Sequence, residues 1–164
     1  MRIVNPRSFV LSFVLLAAAC GGKSAPAAGG GGGGTGPTEP APGPLAPGQW
    51  ASMDHEARED FMKQVVLPTM EAEFKAFDAE RFADFSCKTC HGSGIDDHTY
   101  KMPHPDLPEL SGAMLQNPPE EAKPMLEFMG GKVKPKMAEL LGMPEWSPEQ
   151  QDGFGCTACH IMNP

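Results

Sequence analysis

The chain has 164 residues, enough for one domain of ordinary size, and its 19 glycines and 18 prolines leave a folded part smaller than that. Thirteen Lys and Arg stand against 21 Asp and Glu, a formal charge of −8 at pH 7. This balance argues against nucleic acid or anionic lipid surfaces as partners and favours proteins with a basic docking surface.

Residues 1–19 read as an export signal, with Arg2 and Arg7, an apolar run from Phe9 to Ala19, and small residues up to Cys20. The run is too short to span a bilayer. "LLAAAC" resembles the lipobox of bacterial lipoproteins, although Leu16 stands four residues before Cys20 rather than three. The resemblance implies that Cys20 becomes a lipidated N-terminus, anchoring the protein in the bacterial cell envelope on the periplasmic side. Two glycines after Cys20, in place of the aspartate associated with inner-membrane retention, favour the outer membrane. The competing reading is an ordinary cleavage that leaves a free thiol at the terminus. Residues 20–49 form a tether. Positions 21–49 hold eleven glycines and six prolines, with Leu45 as their one large apolar residue, too little apolar surface to offset the entropy of ordering. "GGKS" at 21–24 is no phosphate loop, because the required preceding glycine is Ala17.

Beyond the tether, residues 50–164 carry ten Lys and Arg against twenty Asp and Glu, a balance of 10 − 20 = −10. They contain an internal repeat. "FMKQVVLPTM" at 61–70 and "FMGGKVKPKM" at 128–137 share Phe, Met, Val, Pro and Met at the same offsets. Each is followed by a phenylalanine two residues before a CxxCH: Phe85 before Cys87, Cys90 and His91, and Phe154 before Cys156, Cys159 and His160. Two units follow, 50–117 and 118–164. Pro68 and Pro135 suit the first turn of a helix, and the apolar spacing after each is helical. Met70, Phe74 and Phe77 share one face, as do Met137, Leu140 and Leu141 before Gly142 and Pro144 end the second helix. No strand signal appears, and "MPHPDLPEL" and "QNPPEEAKP" read as proline-punctuated connectors. The expected fold is mostly α, two duplicated helix-turn-CxxCH units with no sheet.

CxxCH is the attachment signature of c-type haem. Two thiols one turn apart add to the two vinyl groups, and the adjacent imidazole binds the iron. By composition alone one such motif would arise in roughly one chain in 200, so two inside a repeat point to function. The expected cofactor is two covalent haems c, on Cys87 and Cys90 and on Cys156 and Cys159, with His91 and His160 as proximal ligands. Four thiolates could instead hold zinc or an iron-sulfur cluster, or cross-pair as disulfides, but neither scheme uses the histidines or the repeat. A thioredoxin-like dithiol lacks its βαβ surroundings.

Met70 and Met137, matched in the repeat upstream of their motifs, are the candidates for the sixth ligands. Met62 and Met129 are the matched alternatives, and any of the four can instead be core. Met102, His98 and His104 are further candidates for the first iron without a counterpart in the second unit. His98 and His104 read first as solvated loop residues, and His55 as an exposed residue near a helix start. Lys132, Lys134 and Lys136 read first as a solvated helix start and second as a docking site.

Helix, methionine, turn and CxxCH in this order resemble the haem units of the cytochrome subunit of photosynthetic reaction centres, over residues 61–91 and 128–160. That family usually has four such units where this chain has two, so a role in photosynthesis is not implied. The resemblance implies helical packing around haems with the matched His and Met as axial ligands. The expectation is a lipid-anchored extracytoplasmic dihaem cytochrome that carries single electrons between redox partners and is not an enzyme. The alternatives are a haem sensor, or a small reductase or peroxidase with one five-coordinate iron.

Overall fold

A computed structural model describes residues 43–164; the expected signal segment, Cys20 and the tether up to residue 42 lie outside the described residues. About half of the described part is helical, and it is organised by two long helices. The first runs without a break over residues 55–77 as His55–Phe61, a π turn Met62–Val66 and Leu67–Phe77. Asp54 caps it, its carboxylate accepting the Ala57 N–H at 2.9 Å and so satisfying one of the unpaired donors of the first turn. The second spans residues 123–140 as Lys123–Phe128, a π turn Met129–Val133 and Lys134–Leu140.

These helices begin well before the prolines, contrary to the sequence expectation. In each, the N–H just before proline bonds five residues back, Leu67 to Met62 and Lys134 to Met129. The widened turn accommodates a ring that would otherwise strike the carbonyl four residues earlier. The repeated Phe–Met–Val–Pro–Met pattern is thus the signature of a proline-adapted π turn inside a helix.

The second helix ends as expected. Gly142 adopts φ 61°, its N–H bonds Glu139 O, and the Met143 N–H bonds Ala138 O at 2.9 Å, a Schellman ending. A Cβ on Gly142 would lie 2.5 Å from the Leu45 and Ala46 carbonyl oxygens. Leu45 itself donates its N–H to Leu140 O at 2.9 Å and packs on the core. Leu45 and Ala46 are therefore docked on the end of the second helix. A short helix, Gln49–Ser52, follows.

The core joins the helices: Phe61, Val65, Val66, Met70 and Phe74 from the first pack with Phe128, Ala138, Leu140 and Leu141 around the second, and with Phe154. Phe128 stacks on Phe77 with ring centroids 4.4 Å apart and meets Phe74 edge-on at 5.0 Å, contacts worth about 0.5–1.5 kcal/mol each beyond area burial. The expectation of no sheet is corrected by a small one. Strand β1, Leu110–Ser111, pairs in parallel with β2, Met162–Asn163. A pair of two-residue strands carries little periodicity, which is why no strand pattern was legible.

Candidate functional site

Each CxxCH forms a single turn. The first is a short helix, Cys87–His91, entered from Ser86, whose N–H donates to the Thr89 hydroxyl at 3.0 Å. Phe85 leads into it and packs on Phe74 at 4.9 Å, tying the motif to the first long helix. The second begins as a 3-10 turn, Cys156–Ala158, and the His160 N–H bonds Cys156 O at 2.9 Å. Phe154 enters the core ahead of it. The repeated phenylalanines thus fix both motifs to one core.

All four thiols are free, Cys156 exposed and the others half-buried. Burial pushes the Cys90 thiol up to about 12, with Cys159 and Cys87 adding to it, and Cys159 up to about 11. The two motifs are near neighbours: His104, packed against Gly92 beside the first, donates its N–H to Cys159 O at 3.2 Å.

The histidines differ in what fixes them. His160 is buried, and its Nδ1 lies 2.8 Å from Pro108 O. A carbonyl only accepts, so Nδ1 carries the proton and Nε2 keeps a bare lone pair. His91 is half-buried, with Nδ1 buried and without a hydrogen-bond partner. Burial, followed by the nearby His104, holds its imidazole below the usual histidine range, with a hydrogen bond to the Tyr100 backbone acting in the opposite sense.

Tyr100, the one tyrosine of the chain, stands edge-on to His91 with centroids 5.7 Å apart and donates its hydroxyl to Glu59 at 3.3 Å. His98 Nδ1 is 3.2 Å from the same hydroxyl. His55 and His98 are exposed, as expected.

His104 is not the solvated residue expected from the sequence; it is buried against Gly92 and Gly94, beside the first motif. Its Nδ1 accepts the Asp106 N–H at 3.1 Å. In the neutral ring the proton is then on Nε2, so this tautomer presents an N–H where an iron ligand needs a lone pair. Asp106 also accepts the Ser93 N–H at 2.8 Å, the bond that chiefly holds its carboxyl below the usual range.

Met70 is 3 % exposed within the core, whereas Met137, Met62 and Met129 are half-buried at its edge and Met102 is half-buried in the connector. The lysine island is largely neutralised: Lys134 pairs with Glu145 at 2.7 Å and Lys136 with Glu139 at 2.6 Å.

The connector at 102–110 emerges as part of the site. The His104 N–H bonds Cys159 O, the Leu110 N–H bonds Ile161 O at 2.9 Å, and Pro108 receives His160. A segment of the first unit therefore orients the histidine of the second. Sequence reading missed Pro108 because its contribution is a backbone carbonyl, which no residue type announces. It missed Asp106 for lack of any repeat counterpart. Among the described residues no three His, Cys, Asp or Glu side chains gather to cage a bare metal ion. A haem brings four nitrogens of its own and asks the chain for one imidazole per iron. Free thiols in CxxCH pairs and a pinned His160 whose Nε2 carries no proton fit that request. Compared with known protein families, with curated proteins and with solved structures, the chain matches none.

Proposed function

We propose that the protein is a dihaem c-type cytochrome, lipid-anchored through Cys20 in the bacterial cell envelope, that carries single electrons between redox partners. The observation that carries this reading is the duplicated Phe-x-Cys-x-x-Cys-His, each copy a single turn fixed by its phenylalanine to a shared core. Cys87 and Cys90 would hold one haem and Cys156 and Cys159 the other, with His91 and His160 as iron ligands and Met70 and Met137 as the further protein ligands. Bound haem would supply one-electron ferrous–ferric chemistry. The chain's own work is to bind and orient: the thiols prevent loss of the cofactor, Pro108 holds one imidazole, and the helices exclude water. The two units resemble those of reaction-centre cytochromes in the order of helix, methionine and CxxCH. The acidic surface suits partners with basic docking patches.

The test is expression with a c-type haem attachment system. Alkaline pyridine spectra and intact mass should give two covalent haems per chain, and none in a variant with all four motif cysteines changed to serine. Met70→Ala and Met137→Ala should each remove about half of the ferric far-red methionine band, the share of one iron in two. A purified chain carrying zinc or no haem would refute the proposal, and rapid carbon monoxide binding at one iron would replace the carrier role with a sensor or enzyme.

A further inference from the structure

We infer that Trp146 and the acidic turn after it form the docking site for a redox protein that presents lysines around an apolar centre; the kind of partner rests on the dihaem reading. Trp146 lies in the segment where the two units differ. Met70 and Cys87 are 17 positions apart and Met137 and Cys156 are 19, and Phe154 stands between Gly153 and Gly155 where Phe85 stands between Asp84 and Ser86. The two glycines make room for the tryptophan. A Cβ on Gly153 would lie 2.5 Å from the Trp146 backbone nitrogen, and one on Gly155 3.0 Å from Trp146 Cβ and 3.2 Å from its Cγ. The base of the side chain thus rests on Gly155, while 44 % of the residue stays exposed.

The segment that carries it is tied down by its own backbone. The Trp146 N–H bonds Phe154 O at 3.0 Å, the Phe154 N–H bonds Pro144 O at 2.8 Å, and Ser147 and Gln150 exchange both backbone bonds at 3.2 and 3.0 Å. An indole on fixed backbone loses little freedom when a partner covers it, and tryptophan is among the residues that most often anchor interfaces. It stands on the backbone leading into Cys156, whose exposure sets the second CxxCH apart from the first, where Cys87 is half-buried. The local charge selects the partner. Glu145 is neutralised by Lys134 at 2.7 Å, but exposed Glu149 accepts only the Ser147 hydroxyl at 2.9 Å and exposed Asp152 the Gln150 amide, neutral groups that leave both negative charges standing. Two such charges beside an exposed indole fit lysines around an apolar centre and repel anionic lipid.

The experiment titrates the full haem-loaded chain, in its ferrous form, with a lysine-rich c-type cytochrome as the probe and proton–nitrogen NMR as the readout. The chain has two tryptophans, so the Trp146 indole N–H is assigned by its loss in Trp146→Phe. It should shift as the probe is added, while that of Trp50, half-buried under Arg58, stays in place. Trp146→Ala should weaken binding about tenfold. Glu149→Gln combined with Asp152→Asn keeps an acceptor oxygen at both positions and tests the site even if the alanine variant does not fold; it should weaken binding about threefold at low salt and flatten its salt dependence. No binding, binding that leaves the Trp146 signal unmoved, or an affinity unchanged by these substitutions overturns the inference. So does a Trp146 shift with zwitterionic lipid vesicles in place of the probe, which would make the indole a membrane contact. A pyridine assay without two covalent haems overturns the dihaem reading, and the choice of partner with it, before any titration.

Discussion

At Gly92 the chain leaves the first CxxCH with φ 52°, and a Cβ there would lie 2.6 Å from the Asp106 carboxylate and 2.8 Å from His104 Nδ1. Gly92→Ala should therefore destabilise the protein by about 1–3 kcal/mol, read as a lower urea midpoint; no loss would mean that the loop and His104 do not pack as described. The motif thiols give a second residue-scale expectation. In the haem-free chain exposed Cys156 should alkylate first at neutral pH, while Cys90 and Cys159, raised to about 12 and 11 by burial, stay protonated and lag. The sign for stability follows: a thiol whose folded value lies above its unfolded value near 9 favours the folded chain below pH 9, and that contribution is lost as pH rises towards 11 and 12. Circular dichroism of the haem-free chain should show alkaline unfolding in that window, and equal alkylation of all four thiols in native buffer would contradict the burial. The cysteines and histidines were legible in the sequence because CxxCH is a contiguous pattern. The tautomers of His160 and His104 were not, because each is set by a backbone group distant in the chain or of no particular residue type.

Both long helices carry their π turn at the same place in the repeat, immediately before the proline-bearing segment. The sequence showed the helical phase after Pro68 and Pro135 correctly, and Gly142 ended the second helix as expected. Their starts were misplaced because proline in a first turn and proline after a π turn share a local signature: in both, the missing N–H costs little. The second π turn contains Gly130 and Gly131 where the first has Lys63 and Gln64, and neither glycine would bring a Cβ within 4 Å of another group. Each glycine loses more backbone entropy on folding than alanine would. Gly130→Ala and Gly131→Ala should each stabilise the protein by about 0.5–1 kcal/mol, seen as higher thermal and urea midpoints. A loss in either would show that the π turn needs glycine for more than space.

The two repeat units are halves of one structure rather than two domains. Phe128 of the second lies against Phe74 and Phe77 of the first, Leu45 ahead of the first donates to Leu140 in the second, and β1 pairs with β2 across them. The boundary at 117 was drawn from the repeat, which records duplicated local form; packing between copies leaves no trace in their alignment. A chain of residues 43–117 would expose the faces of Phe61, Val65, Val66, Met70 and Phe74 that the second half covers. Fully burying each such side chain contributes about 1.5–3 kcal/mol, so exposing the five costs an amount comparable to the ~5–15 kcal/mol by which whole domains are stable. The isolated half should show little helix by circular dichroism and no cooperative melt, and adding residues 118–164 in trans should restore helix with a concentration-dependent midpoint. A cooperative transition for residues 43–117 alone would mean that the shared core is dispensable. The same coupling bears on the CxxCH motifs, since Pro108 lies in one half and the His160 it orients lies in the other. The complex of the two halves should therefore hold His160 as the intact chain does, and the second half alone should not.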